Sequence, residues 1–299
     1  MYKSNNLVLL LLLLLLLLNL VSPLSLPSSS SPSPSSLLSL ARSACLAASS
    51  SLPPSPPPPS QKLNNPQDLV TPSDVKCQEA IYKVIRERYP DHGLMGEESL
   101  QVSYPSPPLP SPYSWSIDPI DGTTNYINSL PLYTHSVACC RDGVTLAGCV
   151  YNPSTGEMYL AAKGDGAYKV LAAGTTEETE PERLVIEEGD MRPLSSWVVN
   201  VGFPAEPKSR AKSLKNIPLL APHVRGLRML ASAAMTTCLV AEGRLQGYVS
   251  YGLYEYDYRA ARLVLEEAGG EVRGMGGGKG DLMFSVGGEG AEEMWRLIK

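Results

Sequence analysis

Asp118 and Asp121 flank Pro119 and Ile120 and run directly into Gly122-Thr123-Thr124-Asn125, so two carboxylates and a main-chain carbonyl stand beside a glycine turn. Oxygen donors at that spacing suit a hard cation, which takes carboxylate and carbonyl ligands. Trp115 to Ile117 alternate as a buried strand does, and Gly122-Thr123-Thr124 can open a helix whose first N–H groups face an anion. Metal and phosphate would then meet at one strand end. The same Asp-Pro-x-Asp-Gly string also makes an ordinary turn, because Pro presets φ and Asp and Gly favour turns. Taken alone, the two readings stand about even. An EF-hand loop fits poorly, since it needs acidic or amide residues at alternate positions and a bidentate Glu further on.

Other acidic residues decide between them. Glu97 and Glu98 lie in Gly96-Glu97-Glu98-Ser99 after the apolar pair Leu94-Met95, at the end of a short strand. Asp68 to Asp74 lead into a helix, and Tyr256-Asp257 open another that closes at Glu267-Ala268-Gly269-Gly270. Each has a plain structural use: Asp74 and Asp257 suit the positive end of a helix dipole, and Glu97 and Glu98 suit a solvated turn. Singly, the structural use is the better account of each.

Together these segments resemble the inositol monophosphatase family, from about Asp68 to the end of the chain. The family's strand-end motif, tryptophan, a variable and an apolar residue, then Asp-Pro-Ile-Asp-Gly-Thr, is matched from Trp115 to Thr123. Its Gly-Glu-Glu-Ser turn is matched at Gly96 to Ser99, and its metal-binding Asp with an alanine-containing helix and Glu-Ala-Gly-Gly end at Asp257 to Gly270. Gly148 to Pro153 and Gly164 to Tyr168 are similar to its central hairpin region.

The resemblance implies an α+β fold, a layered αβαβα sandwich of the sugar-phosphatase type. It implies a phosphoric monoester hydrolase that releases myo-inositol and phosphate from inositol monophosphate by metal-activated water. Two Mg2+ ions are implied, with a weak third near Glu97. The first would be held by Glu97, Asp118 and the carbonyl of Ile120, the second by Asp118, Asp121 and Asp257. Glu97 and Thr123 would activate water while Asp74 orients the Thr123 hydroxyl. Gly122 and Thr123 amides would hold phosphate oxygens, Asp121 would also touch a sugar hydroxyl, and Glu98 would support the metal-binding turn. Lithium sensitivity is a further implication, and a homodimer is the oligomer that relatives suggest.

Several positions depart from the family pattern. Ser250 stands where the substrate-binding Glu is expected, which weakens inositol specificity, whereas Ala233 keeps the small residue bordering the sugar pocket. Arg259 and Arg262 replace small residues, so a guanidinium near Asp257 either pairs with it, grips substrate or points outward. The basic residue expected before the first Asp segment is shifted by one place to Lys62, and Ser/Pro sequence stands for most of the family's first long helix. These departures keep two other readings in view: an L-galactose-1-phosphate or other small sugar-phosphate phosphatase, and a catalytically silent relative that binds metal or a protein partner.

The elements that must position these groups read as alternating helix and strand. Ser73 caps a helix to about Arg88, with Cys77, Ile81, Val84 and Ile85 on one face. Tyr133 to Arg141, Thr145 to Tyr151 and Glu157 to Ala162 are strands of an antiparallel meander, joined at Asp142-Gly143 and Pro153 to Gly156. A strand at Ser196 to Gly202, a helix at Ala231 to Glu242, a strand at Gly247 to Ser250 and a helix at Asp257 to Ala268 follow.

The chain has 299 residues and a formal net charge of −5. Residues up to Gln67 carry Lys3, Arg42 and Lys62 and no acid, so the rest holds the whole acidic excess, which argues against a nucleic-acid partner. Lys3 followed by Leu7 to Leu18 has a signal peptide's charged start and apolar core and is short for a membrane span. Ser22 to Gln61 has transit-peptide composition, so residues 1–67 read as a targeting presequence for a plastid, with the secretory pathway as the alternative. Residues 68–190 and 191–299 read as two halves of the phosphatase domain. The six cysteines include no CxxC and read as reduced core thiols, and three scattered histidines make a zinc site a poor fit.

Overall fold

The computed structural model describes residues 31–62, 64–101, 111–187, 192–276 and 280–299. The leucine run Leu7 to Leu18, and with it the expected leader, lies outside the described residues. Among the described residues no helix is long and apolar enough to cross a membrane.

The first described element is α1, Pro34–Ser50, and it changes one expectation. Leu37, Ala41, Ala44, Cys45 and Ala48 lie along one face of it and are fully buried. This is helical periodicity written in small residues, which let the helix approach the sheet closely. The segment is therefore part of the folded core, and the Ser/Pro/Ala composition that suggested a presequence up to residue 67 and a missing first helix was misleading. Leu37→Ala is expected to cost about 3 kcal/mol of unfolding free energy, the usual scale for a buried leucine. A urea midpoint unchanged by that substitution would show α1 to be dispensable.

A hairpin of β1, Ser60–Lys62, and β2, Asn65–Val70, leads to α2, Pro72–Arg88. Its N-cap is Thr71, two places before the expected Ser73, with Asp74 completing a capping box. Next come β3, Gly93–Gly96, a 3-10 turn, Glu97–Gln101, the long β4, Tyr113–Asp121, and the short α3, Thr123–Ile127. The meander then runs through β5, Thr134–Arg141, β6, Val144–Asn152, β7, Glu157–Ala162, β8, Gly166–Val170, and β9, Glu182–Leu184. These make a seven-stranded sheet in the order β3 to β9, in which β3 and β4 are parallel and every later pair is antiparallel.

The remaining elements are β10, Val198–Val201, α4, Pro207–Leu220, β11, Gly226–Arg228, α5, Ala233–Ala241, β12, Gly247–Ser250, and α6, Glu255–Glu267. The chain closes with β13, Glu271–Gly274, β14, Leu282–Ser285, and α7, Gly288–Ile298. Their five strands form a second sheet, ordered β11-β10-β12-β14-β13. α1 and α2 cover one face of the first sheet, α5 and α6 fill the space between the sheets, and α4 and α7 pair beyond the second. This is the layered αβαβα sandwich. Helix α5 is buried on every side, as a helix between two sheets must be.

All six cysteines are buried and free. Burial pushes the Cys77 thiol up to about 11, so it stays protonated, which agrees with reduced core thiols.

Candidate active site

The Asp118 to Thr123 segment is shaped by a break in strand pairing. Asp118 lies opposite Ser136 and Asp121 opposite Thr134, so Pro119 and Ile120 form a bulge at the end of β4. Such a bulge re-aims side chains, and here it lets both aspartates border one cavity of about 430 Å3. Gly122 turns the chain into α3 at φ 91°, where an added Cβ would sit 3.0 Å from the Leu132 carbonyl. Only glycine takes that turn without strain.

Four acids from three elements converge on this cavity: Glu97 after β3, Asp118 and Asp121 at the end of β4, and Asp257 in the first turn of α6. Burial first, then the charges of Glu97, Asp121 and Asp257, push the Asp118 carboxyl well above the usual carboxylate range. Burial and the charges of Glu97 and Asp121 do the same to Asp257, whose Oδ2 accepts the Tyr254 N–H at 2.6 Å. Asp121 is raised to about 6 by burial, although Ser232 Oγ at 2.6 Å and the Ala233 and Ala234 amides at 3.1 and 2.7 Å oppose the shift. The start of α5 thus supports Asp121. Ala233 is brought to the site as expected, with its amide on Asp121.

Lys62 is the cation set against this group. A bulge between Gln61 and Lys62 breaks the β1–β2 register, and the ammonium reaches Glu97 Oε1 at 2.6 Å and Glu98 Oε1 at 2.7 Å. Burial disfavours the Lys62 charge, yet Glu97 and Glu98 lift its pKa above the usual lysine range. Glu98 is itself raised to about 7 by burial and by Glu97. It does not line the cavity; the Glu98 amide donates to Gln78 Oε1 at 3.1 Å, and α2 holds the rest of the turn through Tyr82 and Ser99.

Asp74 lies behind the cavity, fully buried. Its Oδ2 accepts the Thr71 N–H and hydroxyl, both at 2.7 Å, and its Oδ1 lies 3.2 Å from the Thr123 hydroxyl. That hydroxyl is also 3.1 Å from the Ile120 carbonyl, so its one proton is shared between two acceptors. Ser250 borders the cavity with its hydroxyl bonded to Tyr248. Arg259 turns away: it meets Glu255 at 2.8 Å, the Gly143 carbonyl at 2.8 Å and Cys140, which leaves Asp257 unpaired with it. Arg262 pairs with Glu266 at 2.8 Å.

All the acids, amides and hydroxyls expected from the motifs are therefore brought to one place, with Asp74 and Glu98 behind it. Ser232 and Thr71 were missed. Thr71 was legible as the start of a T-x-x-D capping pattern; Ser232 stands at a helix start, but nothing near it in sequence signals Asp121.

Among the described residues no three acids are preformed as a metal-holding group. Lys62, the α5 amides and the Tyr254 amide already engage several of them. The donor chemistry nonetheless fits a hard cation. It consists of oxygens alone, and the repulsion felt by buried Asp118 is not met directly by Lys62, which is bonded to Glu97 and Glu98.

A model of the inositol monophosphatase family matches residues 40–298. The chain belongs to the inositol monophosphatase family. It is 33% identical over 221 residues to inositol monophosphatase 1 of Homo sapiens, covering 74% of this chain and 76% of that protein. It is 35% identical over 218 residues to the Nus factor SuhB of Pasteurella multocida strain Pm70, covering 72% and 75%. Among solved structures, SuhB of Bartonella henselae superposes with a TM-score of 0.73 at 26% identity, over 88% of this chain and 98% of that one. The inositol monophosphatase of Anabaena (Nostoc) sp. PCC 7120 gives 0.71 at 26%, over 88% and 95%. The family makes this an inositol monophosphatase-type phosphatase, and SuhB-like proteins are among its relatives.

Proposed function

We propose that the chain is a magnesium-dependent phosphatase that hydrolyses inositol monophosphate to myo-inositol and phosphate. The observation that supports this most is the convergence of Glu97, Asp118, Asp121 and Asp257 beside Thr123, with the Asp118 carboxylate destabilised by burial and by the three other acids. Glu97, Asp118 and the Ile120 carbonyl would hold one ion, Asp118, Asp121 and Asp257 a second, and Glu97 would border a weaker third. When bound, magnesium neutralises phosphate charge and lowers the pKa of a water at phosphorus.

The chain's own groups then move one proton and hold one anion. When the Thr123 hydroxyl donates to Asp74 Oδ1 rather than to the Ile120 carbonyl, its lone pairs are free to accept from an attacking water, and Glu97, which lines the same cavity, would help to orient that water. Asp74 is suited to take that proton, because burial raises its pKa while Thr71 fixes its orientation. The Gly122 and Thr123 amides, unpaired as the first amides of a helix are, would receive phosphate oxygens. Asp121 would accept from a sugar hydroxyl only by giving up part of its bonding to α5. No side-chain nucleophile and no phosphoenzyme is called for.

A second reading, an L-galactose-1-phosphate or other small sugar-phosphate phosphatase, is favoured by Ser250, whose hydroxyl is bonded to Tyr248 and places no charge against a polyol ring. Released phosphate from a panel of these esters, with and without magnesium and lithium, separates the two. We expect magnesium-dependent turnover that lithium inhibits. Absence of turnover on every ester would leave a silent metal- or partner-binding relative.

A further inference from the structure

His135 is fully buried on the α1 side of β5, facing the bulge rather than the cavity. Its Nδ1 lies 2.5 Å from the Pro119 carbonyl. A carbonyl only accepts, so the ring proton is on Nδ1, and burial keeps the imidazole neutral by lowering its pKa to about 4. Its Nε2 is buried with no partner among the described residues. An unpaired buried acceptor is destabilising, a cost that an apolar residue would avoid. The group that sets histidine apart at this position is therefore the Nδ1–H.

The Pro119 carbonyl belongs to the same rigid peptide plane as the Ile120 N–H. That N–H donates to Asp118 Oδ1 at 3.1 Å. On the next peptide, the Ile120 carbonyl accepts from Thr123. One hydrogen bond from His135 thus fixes the rotation of a plane whose other edge holds the Asp118 carboxylate. The bulge makes this necessary, because Pro119 and Ile120 have no cross-strand partner of their own on β5.

We propose that His135 is a positioning residue, which through the Pro119–Ile120 peptide sets the orientation of Asp118 for magnesium. The proposal rests on the magnesium-dependent reading above. It gives the site a supporting contact from β5 by a residue that does not line the cavity.

His135→Leu removes the donor and the unpaired Nε2 together. His135→Asn places an N–H donor at the δ position, and His135→Gln carries its donor one bond further out. Calorimetric titration with magnesium is expected to show affinity about 10-fold weaker for His135→Leu and His135→Gln, the scale for groups that orient metal ligands, and within about 3-fold of wild type for His135→Asn. In phosphate release, the magnesium half-saturation shifts by the same factor while KM for the ester at saturating magnesium holds. Equal magnesium affinity in all four proteins overturns the proposal.

Histidine-selective 15N spectra of the metal-free wild type supply a test that needs no variant. An Nδ1-protonated, exchange-protected His135 is expected, and an Nε2–H tautomer overturns the proposal even if a variant fails to fold. Wild-type protein that ignores magnesium would defeat the metal reading and the proposal's functional consequence. The metal-free spectra would still decide whether His135 holds the peptide.

Discussion

Asp118→Asn is expected to lower magnesium-dependent phosphate release on the order of 10³-fold, the upper end of what removal of one well-placed electrostatic group costs. Asp118 is the residue shared by both proposed ion positions, and its carboxylate is the one surrounded by three other acids. The same substitution is expected to raise the unfolding midpoint of the metal-free protein, because the asparagine keeps the Ile120 N–H bond to its carbonyl oxygen and removes the repelled charge. A variant with full magnesium-dependent turnover would exclude Asp118 from the reaction.

A pH dependence follows from the same shifts. Asp118, Asp121 and Glu98 all have folded pKa values above their ordinary ones, Asp121 at about 6 and Glu98 at about 7. Between the ordinary carboxylate range near 4 and these values the folded state binds more protons than the unfolded state, so their contribution to stability falls as pH rises. The metal-free protein should lose unfolding free energy between about pH 4 and pH 7, and Asp118→Asn should flatten that slope. Saturating magnesium should offset the loss, since an ion that binds the folded state alone stabilises it.

Lys62→Met is expected to cost the metal-free protein about 3 kcal/mol in urea unfolding at pH 8, because it strands Glu97 and Glu98 without their counter-charge in a largely buried turn. Methionine keeps an unbranched apolar chain, which separates loss of charge from loss of packing. At pH 6 the deficit should shrink, since Glu98, already raised to about 7, takes up a proton in the folded state. An unchanged midpoint at pH 8 would mean that the ammonium contributes nothing to the turn. Because Lys62 holds Glu97, magnesium binding has to share or displace that contact, so the variant's stability should depend more steeply on magnesium than the wild type's.

Much of the site was legible because its parts are local. The meander strands from Thr134 to Ala162 were placed within a residue or so, since alternation and Asp-Gly or Pro-x-x-Gly turns are properties of adjacent residues. Helix α1 was missed for a compositional reason: it carries Arg42 as its one charged residue, and its buried face is mostly alanine and cysteine, which looks the same in a transit peptide. Helix α4 was not read because Pro207 and Pro218 sit within it and Leu214 and Leu219 face outward, which blurs the helical stripe. Arg259 gave no sign of its partners, because the Gly143 carbonyl belongs to a hairpin turn that only the packing of α6 on the first sheet brings near.

By itself the sequence determined the donor set and its local frame: Asp118, Ile120 and Asp121 at a strand end, Gly122 at a left-handed turn, Thr123 opening a helix, and Asp74 and Asp257 in first helical turns. These follow from backbone geometry over a few residues. Tertiary structure alone decided that Lys62 neutralises Glu97 and Glu98, that the α5 amides hold Asp121, and that His135 reaches the Pro119 carbonyl. Those contacts join segments far apart along the chain. What brings them together is burial of apolar faces between layers, which sets distances that no local pattern encodes.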